Sequence, residues 1–166
     1  FGHYSYLDDR VPDGDTVYEI GSITKVFTGL LLADSANLPG RTIREPVERS
    51  LPEGTRLPTW EGHPFTLLDL ATHTSGLPRL PDNLTVNNWR DPYAGYDARQ
   101  LWEFLAGYEL TREPGTEYEY SNVGYGLLGE ALALRSGTTY AGLLEKRITG
   151  PLGLTDTKLF ADDRMR

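Results

Sequence analysis

There is no cysteine in these 166 residues, so disulfides, thiolate metal sites and a cysteine nucleophile are excluded together. Histidine is scarce as well. His3, His63 and His73 are scattered, without the i,i+4 pair that a helical zinc site would use. Positive charge is in deficit, 16 Lys and Arg against 24 Asp and Glu, for a formal net charge of -8. No run of Lys or Arg could form the basic face of a nucleic-acid binder, so nucleic acid is not expected as a partner. The acidity itself speaks only for solubility and for repulsion from anionic surfaces. No apolar stretch approaches the roughly 18 residues of a transmembrane helix.

What is present fits a folded protein: 39% hydrophobic and 24% charged residues. The length corresponds to one domain or a large piece of one, enough to bury a core. The chain opens without Met in an alternating segment. It stops at Ala161-Asp162-Asp163-Arg164-Met165-Arg166 with no closing element. Both ends read as those of a piece of a longer protein.

Residues 1–7 and 16–20 alternate as two short strands. Pro12-Asp13-Gly14-Asp15 between them supplies a turn, Pro presetting φ and Gly accepting a positive one. Such a hairpin is marginal alone and wants a larger sheet. After Gly21-Ser22, the residues Ile23, Val26, Phe27, Leu30 and Leu31 recur at helical spacing, predicting a helix to about Ala36. Residues 41–64, rich in Pro, Gly and charge, read as an extended connection. Thr66 and Asp69 have the spacing of a capping box that opens a helix to about His73. Residues 79–96 read as a long ordered loop, a kind of segment that is often functional. Asp97 and Gln100 open a helix that ends at Gly107. Two more helices are predicted, 123–135 closed by Gly137 and 140–148.

Three places could carry chemistry. Ser22 lies where a strand gives way to a helix, and unsatisfied N–H groups and the helix dipole there favour a developing anion. Lys25 follows at i+3 on the same face, and a lysine in a dry pocket can act as a base. The plainer alternative is an N-cap serine beside a solvated lysine. At Tyr120-Ser121-Asn122, between a turn and a long helix, a phenol near an ammonium can take a proton from a serine. An Asn there can serve both a substrate amide and a lysine. Alternatively Ser121 or Asn122 caps the helix and Tyr120 packs in the core. In His73-Thr74-Ser75-Gly76-Leu77-Pro78, His73 reads as structural, satisfying carbonyls at a helix end.

Taken in order, Ser22-x-x-Lys25, the 73–78 segment and Tyr120-x-Asn122 resemble the serine β-lactamase and penicillin-binding-protein superfamily. With Tyr in the second box, the chain is similar to its class C branch, which includes β-lactamases, D-alanyl-D-alanine carboxypeptidases and endopeptidases, and esterases. The flanks at 18–28, 70–78 and 151–157 agree. The segment Ile43-Arg44-Glu45-Pro46 departs from the branch, where Leu-Asp-Asp-Pro is usual.

The resemblance implies an α+β, β-lactamase/transpeptidase-like domain, present here as sheet strands in 1–21 and a nucleophile helix with the helical region in 22–166. It implies Ser22 as nucleophile, Lys25 and Tyr120 sharing the base and proton-shuttle work, and Asn122 on the substrate amide, with no metal and no cofactor. The substrates implied are β-lactams or peptidoglycan peptides, in a periplasmic or secreted bacterial setting. The branch's third box, Lys or His followed by a small residue and Gly on an edge strand, is absent, and with it one of two oxyanion-hole N–H groups. Three readings follow: a hydrolase, a penicillin-recognising module that acylates without turnover, or a catalytically incomplete helical fragment that can self-associate through its exposed face.

Overall fold

The computed structural model describes residues 2–163. Phe1, the first residue of the expected hairpin, and Arg164, Met165 and Arg166 lie outside the described residues.

Five α-helices follow one another: α1 (Thr24–Ala36), α2 (Leu67–Ala71), α3 (Ala98–Gly107), α4 (Asn122–Arg135) and α5 (Tyr140–Leu144). A 3-10 turn, Gly21–Ile23, leads into α1, and a π-helical turn, Glu145–Thr149, continues α5. The two capping signatures close as their spacing predicts. Thr66 Oγ1 accepts from Asp69 N–H while the Asp69 carboxylate accepts from Thr66 N–H, and Asp97 and Gln100 exchange the same pair of bonds.

Helix α4 is the centre of the core. Val123, Leu127, Leu128, Ala131 and Leu132 are all buried, so the helix is apolar nearly all round, as a helix enclosed by others must be. It packs against α1, α2, α5 and a second 3-10 turn, Val47–Ser50. Leu70, Leu77, Leu105 and Phe65 fill the space around it. Burying each such side chain stabilises the fold by roughly 1.5–3 kcal/mol.

Two expectations change. Residues 41–64 are more than a connection: Val47 is fully buried, and the backbone pairs Val47 N–H with Phe65 O and Leu67 N–H with Glu45 O, pinning the segment to the start of α2. The residues expected as strands at 1–7 and 16–20 form no ladder among the described residues. What remains is a bridge between Ser5 and Asp8 and a bond from Tyr4 N–H to Arg10 O at 3.0 Å. Tyr6 and Leu7 are fully exposed, so the described residues offer the hairpin neither a neighbouring strand nor a packing face. Along α1 and the turn that leads into it, Ile23, Val26 and Leu30 form an exposed apolar strip, while Leu31 and Leu32 are buried. No helix among the described residues is long and apolar enough to cross a membrane.

Candidate active site

Ser22 occupies the 3-10 turn ahead of α1. Gly21, at φ +52°, takes the left-handed backbone conformation just before it. The serine caps nothing; the start of α1 has no side-chain cap. Its Oγ instead lies 2.7 Å from the Tyr120 phenol oxygen, and Lys25 Nζ donates to it at 3.3 Å. Lys25 is not a solvated side chain either. It is half-buried, donates to Asn122 Oδ1 at 2.8 Å, and stands 4.8 Å over the Tyr120 ring and 5.5 Å over that of Tyr125. The four predicted residues Ser22, Lys25, Tyr120 and Asn122 thus form one cluster, drawn from positions up to 100 apart.

The two readings of the 120–122 segment prove compatible. Ser121, buried, is the N-cap of α4: its Oγ accepts from Gly124 N–H at 2.8 Å and donates to Pro78 O at 2.6 Å. With the middle residue tied down, its neighbours Tyr120 and Asn122 turn toward Ser22 and Lys25. Asn122 N–H also donates to Arg79 O at 3.0 Å. The 73–78 segment is therefore the platform on which the start of α4 rests. Gly76 is required in it: φ is +81°, and a Cβ would come within 3.2 Å of Leu110 Cδ2.

The family model for Beta-lactamase matches residues 2–166. The chain belongs to the beta-lactamase family. It is similar to the D-alanyl-D-alanine-carboxypeptidase/endopeptidase AmpH of Escherichia coli K12, 38% identical over 146 residues that make up 88% of this chain and 37% of that protein. It is similar also to a beta-lactamase of the same strain, 31% identical over 86% of this chain and 34% of that protein. The crystal structure of a beta-lactamase/D-alanine carboxypeptidase from Yersinia pestis, complexed with citrate, matches with a TM-score of 0.82 at 33% identity, over 93% of this chain and 44% of that one. The fold is accordingly β-lactamase/transpeptidase-like, and the described residues hold mostly its helical part. The chain spans about a third of the length of these two curated relatives.

In this beta-lactamase-family chain the cluster opens into a cleft of about 680 Å³ between α1 and α4, bordered by Arg79, Tyr93 and Tyr140 besides Ser22, Lys25 and Asn122. The Lys25 ammonium beside Tyr120, and then the Ser22 hydroxyl, hold the phenol below its ordinary value, with a smaller contribution from Arg79. Burial acts the other way on Tyr125 and Tyr140, whose phenols are pushed up.

Three neighbours were not singled out by the sequence. The Arg79 guanidinium stands 5.2 Å over the Tyr120 ring. Tyr93 OH accepts from Asn122 Nδ2 at 3.5 Å, and Tyr125 OH donates to Ala71 O at 2.9 Å. The signal available was that Arg79 and Tyr93 sit in the long 79–96 loop. Tyr125 belongs to no such segment and to no spacing pattern. His73 also differs from expectation: rather than satisfying carbonyls with its ring, it accepts the Ser121 N–H on Nδ1 at 3.0 Å.

Proposed function

We propose that this chain carries the nucleophile and proton-transfer half of a serine hydrolase site, acting on β-lactams or D-alanyl-D-alanine peptides. The observation that supports this most directly is the 2.7 Å contact between Ser22 Oγ and the Tyr120 phenol, with Lys25 Nζ at 3.3 Å on the same oxygen. Tyr120, its phenolate favoured by the adjacent ammonium, takes the Ser22 hydroxyl proton. Ser22 Oγ then forms a bond to the substrate carbonyl carbon. As the C–N bond breaks, Tyr120 returns the proton to the departing nitrogen, leaving an ester on Ser22. Water, losing a proton to the same phenolate, attacks that ester, and the proton returns to Ser22 Oγ as the acid leaves.

Lys25 remains an ammonium in this scheme. Its contacts with Ser22 Oγ, Asn122 Oδ1 and two aromatic faces are those of a donor and a cation. Asn122, held by Lys25 through its oxygen and by Tyr93 OH through one amide N–H, keeps its second N–H for a substrate acceptor. The Ser22 N–H, in the first helical turn and without an intrahelical partner, is placed to meet a developing oxyanion.

A fluorescent penicillin tests the proposal. Labelling of the folded chain, with the adduct mapped by mass spectrometry to Ser22 and abolished by Ser22→Ala, is the expected result. A folded chain that takes no label would sink it. The third box, and one oxyanion donor with it, is not among these residues. Removing one such donor typically slows reaction about 100- to 1000-fold. The chain by itself is therefore proposed to acylate slowly and to turn over little. A burst without steady-state hydrolysis is the signature, and this matches the reading as an acylating module.

A further inference from the structure

His73 occupies an unusual backbone position. Thr74 N–H donates to Asp69 O at 2.8 Å and His73 N–H to Leu70 O at 3.3 Å, the two bonds of a Schellman motif closing α2. In that motif the left-handed residue is usually Gly. Here it is His73, at φ +60°. A histidine that keeps an unfavourable backbone conformation points to work done by its side chain.

The imidazole faces the proposed site. Its Nδ1 accepts the Ser121 N–H at 3.0 Å, and its carbonyl accepts Glu119 N–H at 2.8 Å. Its ring packs on those of Tyr120 at 4.5 Å, Tyr125 at 4.9 Å and Tyr118 at 5.7 Å between centroids. His73 therefore holds three consecutive residues, Glu119 through its backbone carbonyl and Tyr120 and Ser121 through its imidazole, which stacks on the phenol beside Ser22. Because a backbone N–H can only donate, Nδ1 must be unprotonated for this bond to exist.

We propose that neutral His73 is a positioning residue, a pH-sensitive clamp that holds Tyr120 and Asn122 in register with Ser22 and Lys25. The proposal rests on the role assigned above to Ser22 and Tyr120. Protonation turns Nδ1 into a donor facing another donor, so the clamp opens and the start of α4 loses its registration.

The surroundings favour the neutral form. Three phenols, from Tyr118, Tyr120 and Tyr125, face the ring. Lys25 on α1 supplies a positive charge nearby, and Arg79 supplies another over the same Tyr120 ring. The carboxylates of adjacent elements are engaged elsewhere, Asp69 by Thr66 and Thr74 and Glu119 by Arg112. Burial first, and the Lys25 charge second, hold His73 below the ordinary histidine value.

Two measurements on the full chain test the clamp. Nitrogen-correlated NMR of the imidazole reads it without catalysis. At neutral pH the proton is expected on Nε2, and the Ser121 amide resonance should move in step with His73 titration. A proton on Nδ1, or a silent Ser121 amide, overturns the proposal. The second measurement is the rate of penicillin labelling against pH in His73→Asn and His73→Gly. Asn tolerates the left-handed backbone and places Oδ1 where Nδ1 was, so His73→Asn should keep the rate within about threefold of the parent chain above its acid limb and lose that limb. Gly relieves the backbone but offers no acceptor, so labelling should fall about 10- to 100-fold, the scale on which small misplacements are felt. A His73→Gly chain that labels at the parent rate with the parent pH profile overturns the clamp. If the parent chain takes no label at any pH, the Ser22 reading fails, while the imidazole spectrum still decides for or against the clamp.

Discussion

The Ser22 hydroxyl and the Tyr120 phenol, separated by 98 positions in the chain, lie 2.7 Å apart. Lys25 reaches the same pair from one helical turn along α1. Each partner is carried by an element fixed for its own reasons, α1 by its buried leucines and the start of α4 by the Ser121 cap. The contact is therefore a property of how two helices pack.

The electrostatics of that contact are testable by titration. Tyr120 is expected to ionise below the ordinary phenol value of 10.0, whereas Tyr96, Tyr108, Tyr125 and Tyr140 ionise above it. Lys25→Met should move the Tyr120 step upward in tyrosinate absorbance, and Arg79→Gln should move it by less. Lys25→Met should also lower penicillin labelling about 100-fold or more, because the Tyr120 phenolate that acts as general base loses the cation that favours it. An early step that persists in Tyr120→Phe would assign it to another tyrosine.

Ser121→Ala removes a cap acceptor from Gly124 and a donor from Pro78 O, both in a buried place. A loss of about 1–2 kcal/mol in urea unfolding is expected. Labelling should fall with it even in conditions where the variant is folded, because Tyr120 and Asn122 flank the cap.

Arg135 at the end of α4 pairs with Glu45, whose side chain is only 5% exposed against 19% for the arginine. Ser50 Oγ also accepts from Arg135, at 3.4 Å. Arg135→Met strands a buried carboxylate and is expected to cost about 3–5 kcal/mol. The double variant Glu45→Leu with Arg135→Met should recover most of that loss, since no charge is then left unpaired. Equal losses in the single and double variants would show that the pair carries no such penalty.

Stability should depend on pH through His73. Its folded value is lowered, so between that value and the ordinary 6.5 the unfolded chain binds more protons than the folded one. Stability contributed by neutral His73 is therefore full above about 6.5 and is lost as pH falls toward the folded value. Thermal unfolding followed from pH 7.5 downward should show this decline, and His73→Asn should flatten it. A decline of equal size in His73→Asn would place its origin elsewhere.

Much of this protein was determined locally and could be read from the sequence. The helix over 24–36, the paired caps at Thr66 and Asp69 and at Asp97 and Gln100, and the break at Gly137 depend on neighbours a few residues apart. So did the candidate residues, because Ser22 and Lys25 share one turn and Tyr120 and Asn122 share one loop. The tertiary structure alone decided the rest. It brought the two pairs together, placed Arg79 and Tyr93 at the cleft, and turned His73 from a helix-end residue into an acceptor for Ser121. It also left 1–7 and 16–20 without a ladder. The physical reason is the same throughout: a cap or a helical face is satisfied within its own turn, whereas a strand, a clamp or a cleft exists only when a distant segment supplies the partner.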